Sequence, residues 1–242
     1  LVLRDNTFDV APGESIGICG PTGAGKSTLI NIMTRYYDIA GGRILIDGQD
    51  LSKLTQRSLR KQVGVVLQEA FLFTDTVMNN LLYAREGATE EEAIEAAKQA
   101  NAHDFIVALP DGYDTMLTER GANLSQGQRQ MITIARAMVA EPKMMILDEA
   151  TSNVDTRTEK LIQDGMRKLM EGKTSFSIAH RLATIRDSSR IMVLNGGTIE
   201  EMASHDELME ERGFYYALYM SQFKGKGPGG DPDDIALDFV ST

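Results

Sequence analysis

Apolar residues fall in short runs divided by glycine-rich turns and amphipathic stretches, a texture that predicts strands alternating with helices. Ser15 to Cys19 is a short apolar strand, Gly20 to Gly25 a glycine-rich loop, and Ser27 to Thr34 an apolar-periodic helix. Before them, Leu1 to Val10 alternates like a strand, with Val2 and Phe8 among polar neighbours. Arg43 to Ile46 followed by Asp47-Gly48 has the alternation and turn pair of a hairpin, and Val63 to Leu67 reads as a buried strand. From Thr74 to about Asn101 the period turns helical, with Thr89 and Glu92 placed as a capping box. Ser125 to Val139 is a second strong helix; the strand Met144 to Leu147, the helix Thr156 to Met170 and the strand Thr174 to Ile178 follow. A hairpin is predicted around Asn195-Gly196-Gly197, and Ser204 with Glu207 caps a last helix to about Gln222. The class is therefore α/β: a mostly parallel sheet covered on both faces, a flanking antiparallel β subdomain and an inserted α-helical subdomain.

Length and charge narrow this picture. At ~150 residues per domain, 242 residues allow one domain with a lobe. The reading is one domain over 1–224, with a core of about 1–74 and 140–224 and a helical lobe of about 75–139. Residues 225–242 read as a flexible acidic tail or linker, since from Gly227 onward there are four Asp and no Lys or Arg. Lys and Arg total 25 against 35 Asp and Glu, a net charge of -10, which has the wrong sign for holding DNA, RNA or anionic lipid by bulk charge. No nucleic-acid partner is expected. No apolar run reaches the ~20 residues of a spanning helix, and the single Cys19 excludes an internal disulfide. With no initiator Met and no leader at Leu1, an excised domain or a processed fragment with a missing N-terminal partner is expected.

Gly20 to Ser27 reads GPTGAGKS, matching G-x-x-x-x-G-K-[ST] between a strand and a helix. Gly20, Gly23 and Gly25 let backbone N–H groups converge on phosphate oxygens, and the helix start adds positive potential. Lys26 suits the β and γ phosphates, and the Ser27 hydroxyl suits Mg²⁺. Asp148 and Glu149 stand at the carboxyl end of an apolar strand, the edge at which parallel sheets bind ligands. Asp148 fits the Mg²⁺ shell, and Glu149 fits orientation or deprotonation of a water attacking in line. No N-K-x-D segment that would read a guanine base occurs. Ser125 and Gln128 make an S-x-x-Q capping box, opening a second helix whose free N–H groups form an anion site without a lysine.

With LSQGQ at Leu124 to Gln128 the chain resembles the nucleotide-binding domain of an ATP-binding cassette (ABC) transporter, over nearly all of Leu1 to Gln222. GPTGAGKS matches the family's Walker A motif, Gln68 in VVLQEAFLF its Q-loop, LSQGQ its signature, MMILDE its Walker B, SNVD (Ser152 to Asp155) its D-loop and His180 its switch histidine. TERG at Thr118 to Gly121 resembles the X-loop of exporter-type members. The resemblance implies a Mg²⁺-dependent ATPase that drives export through a membrane domain at the cytoplasmic face. It also implies a second nucleotide-binding domain facing this one head to tail. Glu149, His180 and Gln68 would be catalytic. Gly20, Thr22, Gly23, Gly25, Lys26, Ser27, Thr28, Ser125, Gly127, Gln128 and Asp155 would hold ATP, with Ser27, Gln68 and Asp148 around the metal.

Two features depart from the family pattern. Gln126 replaces the commoner glycine of the signature, and the position that usually carries an adenine-stacking aromatic would fall before Leu1. Tyr36 and Tyr37, which follow the phosphate-loop helix, are not assigned that role, and His103 and His205 read as structural. A non-transport ATPase of this type, or an association module with little turnover, fits the motifs less well.

Overall fold

The computed structural model describes residues 2–67, 69–148, 154–179 and 182–223. In chain order these form β1 (Ser15–Cys19), α1 (Lys26–Met33), β2 (Leu45–Ile46), β3 (Gln49–Asp50), α2 (Gln56–Gln62), β4 (Val63–Val66), α3 (Val77–Leu82), α4 (Glu90–Gln99) and α5 (His103–Val107). There follow α6 (Gln126–Val139), β5 (Met144–Asp148), α7 (Thr156–Met170), β6 (Thr174–Ile178), α8 (Leu182–Ile185), β7 (Arg190–Asn195), β8 (Thr198–Ala203), α9 (His205–Glu211) and α10 (Phe214–Phe223). The six-stranded sheet runs β4-β5-β6-β1-β7-β8, with β2-β3 as a separate two-stranded sheet. Described residues 2–60, 146–148, 173–179 and 182–223 belong to one compact unit, and 61–67, 69–145 and 154–172 to another.

In the first unit β1 lies parallel to both β6 and β7, with Ile16 opposite Phe176 and Arg190, and Ile18 opposite Ile178 and Met192. A strand paired on both edges and covered on both faces must be apolar throughout, and Ile16, Ile18 and Cys19 are buried. β7 and β8 are antiparallel and turn through Gly196 and Gly197, both at positive φ. The β2–β3 turn places Asp47 at φ 49 and Gly48 at φ 75, the backbone a two-residue type I′ hairpin requires. Cys19, Leu182, Ile185, Ile191, Val193, Leu208 and Tyr215 form one core cluster, so α8, α9 and α10 pack onto the β1–β7 region.

Residues 2–10 form no strand, contrary to the alternation of Leu1 to Val10. Asp5 is at φ 49, which breaks an extended path, and its neighbours bond singly instead of in a ladder. The Arg4 N–H and the Asn6 amide both donate to the Gly197 carbonyl, and the Ile199 N–H donates to the Asn6 Oδ1.

In the second unit α6 is the central helix, packed against α3, α4, α7 and β4. Its buried stripe of Gly127, Gln130, Met131, Ile134 and further apolar residues follows the helical period. Gly64 of β4 faces Met145 and Pro142 too closely for a side chain. The Thr89–Glu92 capping box starts α4, whose Ala93, Ala96 and Ala97 are buried. Among the described residues no helix is long and apolar enough to cross a membrane.

Candidate nucleotide site

The sequence Gly20 to Thr28 leaves β1 and enters α1 as a loop of unusual backbone. Gly20 has φ 142 and Gly25, the residue before the helix, φ 106. A Cβ on Gly20 would collide with the carbonyl oxygen of Leu194 in β7, so this glycine is demanded by close approach as well as by φ. On Gly25 a Cβ would come within 2.7 Å of the Leu3 side chain. Gly23, at φ 80, has open space around it and is exposed, so the backbone there is accessible. The loop is backed by the β7–β8 turn, where the Gly197 N–H donates to the Ala24 carbonyl at 3.2 Å.

Lys26 curls back over this loop, its Nζ donating to the carbonyls of Gly20 at 2.7 Å and Pro21 at 3.0 Å. The side chain is half-buried, and burial pushes the ammonium below its ordinary value, opposed by its electrostatic interactions with Cys19 and Asp148. Burial likewise pushes the Cys19 thiol up to about 12, against the pull of Lys26. Asp148 ends β5 in the same unit, half-buried and within electrostatic reach of Lys26. Thr22 and Ser27 are exposed and Thr28 is half-buried. Thus Gly20, Thr22, Gly23, Gly25, Lys26, Ser27, Thr28 and Asp148 share one unit.

For a metal the donor chemistry is spare. Among the described residues no group of three or more His, Cys, Asp or Glu is gathered to hold an ion. Ser27 offers one exposed hydroxyl and Asp148 one carboxylate in the same unit, donor chemistry that fits Mg²⁺, which binds through one or two protein oxygens while phosphates and water complete its octahedron. Gln68, Glu149 and His180, the three expected catalytic residues, lie outside the described residues.

Ser125, Gly127, Gln128 and Asp155 fall in the second unit. Both halves of the Ser125–Gln128 capping box are formed: Gln128 N–H donates to Ser125 Oγ at 3.2 Å, and Ser125 N–H to Gln128 Oε1 at 2.9 Å. Ser125 is exposed, whereas Gly127 is buried where a Cβ would collide with Thr158 of α7. That contact brings the start of α6 against the start of α7. There Asp155 is the N-cap, its Oδ1 accepting from the N–H groups of Arg157 and Thr158, each at 3.1 Å. These hydrogen bonds, Thr158 foremost, hold its carboxyl below the usual range. Sequence reasoning did not assign this capping role, although an Asp just ahead of Thr156 is the standard signal for it.

His103 and His205 are occupied structurally, each with Nδ1 hydrogen-bonded to a tyrosine hydroxyl: Tyr113 at 3.0 Å and Tyr215 at 2.8 Å. Leu194 and Gly197, which shape the back of the phosphate loop, were missed; the Gly-Gly pair at 196–197 was the available signal, read only as a turn.

Comparison with known proteins gives the family. The family model described as ABC transporter matches residues 3–152. The chain is 53% identical over 222 residues to the uncharacterized ABC transporter ATP-binding protein YfiC of Bacillus subtilis (strain 168). It is 49% identical over 223 residues to an ATP-dependent lipid A-core flippase of Syntrophus aciditrophicus (strain SB). These alignments cover 92% of this chain and 37% of each relative. A solved structure of a bacterial Atm1-family ABC exporter with ATP bound superposes with a TM-score of 0.85 at 46% identity, over 92% of this chain and 39% of that one. The chain spans well under half the length of these relatives. The chain belongs to the ABC transporter family.

Proposed function

We propose that this chain binds MgATP on Gly20 to Thr28 and hydrolyses it at an interface with a second nucleotide-binding domain, driving export through a membrane domain. The observation that carries the reading is the cradle itself: glycine backbone at positive φ, a helix start and the half-buried Lys26 ammonium converge on one short loop. Backbone N–H groups and a lysine placed this way bind a triphosphate, and the helix start favours negative charge. Ser27 and Asp148 would hold Mg²⁺, which when bound neutralises phosphate charge.

Glu149, next in sequence to Asp148, orients the attacking water and accepts its proton; Gln68 and His180 report and hydrogen-bond the γ phosphate. On the facing chain the capped start of α6, with Ser125, Gly127 and Gln128, closes over the same phosphate, and Asp155 lines that seam. The membrane domain belongs to the same polypeptide, on its N-terminal side, and the chain works at the cytoplasmic face; a relative of Mycobacterium bovis named a fatty acid ABC transporter ATP-binding/permease protein joins the two functions in its name. The transported substrate is selected there.

The test is Glu149→Gln. It retains MgATP, loses turnover and accumulates an ATP-dependent dimer by light scattering. Unchanged turnover removes Glu149 from the role of general base.

A further inference from the structure

Arg136 stands in the apolar run ITIARAM of α6, and its guanidinium is substantially buried with no acid among its described hydrogen-bond partners. All three of its described bonds go to amide oxygens: Nε to the Asn80 carbonyl at 2.8 Å, Nη2 to Asn80 Oδ1 at 2.6 Å and Nη1 to the Phe71 carbonyl at 2.9 Å. The guanidinium also lies 5.3 Å from the Phe73 ring centroid. Burying a cation costs free energy that such bonds only partly offset, whereas an apolar residue would fill the space without that cost.

Asn80, in α3, is 1% exposed and has its amide engaged on both sides. Its Oδ1 accepts from the Phe73 N–H at 2.9 Å as well as from Arg136. Its Nδ2 donates to the carbonyls of Phe73 at 3.0 Å and Thr76 at 2.9 Å. Residues 71–75 belong to no helix or strand; a bridge between Thr76 and Met116 ties their end, with the Leu117 N–H donating to the Asp75 carbonyl at 2.9 Å, and upstream of it the backbone has no ladder. The two side chains supply fixed partners in its place, and the planar fork of the guanidinium sets direction as well as distance.

We propose that Arg136 and Asn80 are positioning residues: together they clamp the segment Phe71 to Thr76 to α6, so that this segment and the helix carrying Ser125 and Gln128 move as one body. The proposal rests on the function given above, in which Gln68, three residues before Phe71, reports on the nucleotide of its own chain. The signature end of α6 serves the nucleotide of the facing chain. The clamp makes a displacement at one end arrive at the other without being absorbed by an irregular loop.

The test compares Arg136→Met, Arg136→Lys and Asn80→Ala with Arg85→Met in the full chain. Arg85 Nε donates to the Val139 carbonyl at 3.1 Å and its Nη2 pairs with Glu92 at 2.7 Å, tying the same helix to the residues after α3 and to α4 with no described bond to 71–76, so its loss controls for stability. Assayed well below the melting range of the weakest variant, Arg136→Met and Asn80→Ala lower kcat on the order of tenfold while KM for ATP stays within about twofold. Arg136→Lys falls between, and Arg85→Met keeps its kcat. Equal losses in Arg85→Met and Arg136→Met, or none in Arg136→Met, overturn the proposal. Native-state hydrogen exchange judges it without nucleotide: the Phe73 amide and the Arg129 and Gln130 amides open with one common free energy in the parent and separate in Arg136→Met. Separate opening in the parent also overturns it. Absent turnover in the parent sinks the hydrolysis reading alone, while the exchange result still decides the clamp.

Discussion

The Lys26 ammonium lies 2.7 Å from the carbonyl oxygen of Gly20, six residues back along the chain, and donates to it. The loop is thereby closed on its own lysine, with Pro21 accepting a second bond. An ammonium has three donors, and a triphosphate seated in the loop competes for them with stronger, charge-assisted bonds. Lys26 is held over the loop by the loop's own carbonyls.

Gly20 and Gly23 separate two reasons for a glycine. Gly20→Ala sets a Cβ against the Leu194 carbonyl and forces φ 142 on an L side chain, so it destabilises by more than about 2 kcal/mol in urea unfolding. Gly23→Ala meets no atom within 4 Å and costs only about 1 kcal/mol for φ 80. Equal losses at the two positions would contradict the close approach of β7.

Ser125→Ala removes the hydroxyl half of the capping box and lowers stability by about 1 kcal/mol. A shift in the urea midpoint without a change in its slope is the expected signature. If Ser125→Ala leaves stability unaltered, the box contributes nothing.

Acid stability follows from carboxylates held low. The Arg190 guanidinium, hydrogen-bonded to both oxygens of Glu14, holds that carboxyl below its ordinary 4.5, and Lys168 with Asn101 does the same for Asp164. With the folded value below the unfolded one, the unfolded chain binds more protons in between. The stabilisation is therefore complete above about pH 4.5 and is lost as pH falls through the folded value. His205, lowered from 6.5 mainly by burial, has the same sign and starts the decline below that pH. Urea midpoints measured from pH 7 to pH 3 should fall, and Glu14→Gln should flatten the slope below pH 4.5. An identical slope in the variant removes Glu14 from the account.

Cys19 gives a probe of the same core. Its thiol is buried and pushed up to about 12, so it stays inert to a disulfide reagent at pH 8 in the folded chain and reacts fully in denaturant. Rapid reaction in the folded state would show that β1 is open beside the phosphate loop.

What was legible in the sequence was local. The boxes at Thr89–Glu92, Ser125–Gln128 and Ser204–Glu207 each need only four consecutive residues, and all three are formed. The strand–loop–helix around Lys26 was equally plain, since glycine spacing and the apolar run of β1 are contiguous. Contacts between distant residues were not. The approach of Leu194 to Gly20 spans most of the chain, and the bonds from Arg136 reach back to Asn80 and Phe71; ITIARAM showed only an arginine on an apolar helix. The alternation of Leu1 to Val10 misled because a strand needs a neighbour as well as a pattern, and Asp5 turns the chain aside.

The central claim is tested most directly by titrating a fluorescent ATP analogue into the parent chain and into Lys26→Ala. A charged hydrogen bond lost from the cradle is worth roughly 1.5–3 kcal/mol, so affinity should fall about ten- to a hundredfold, with the fold intact by circular dichroism. Equal affinity in the two proteins would place the nucleotide elsewhere and contradict the account.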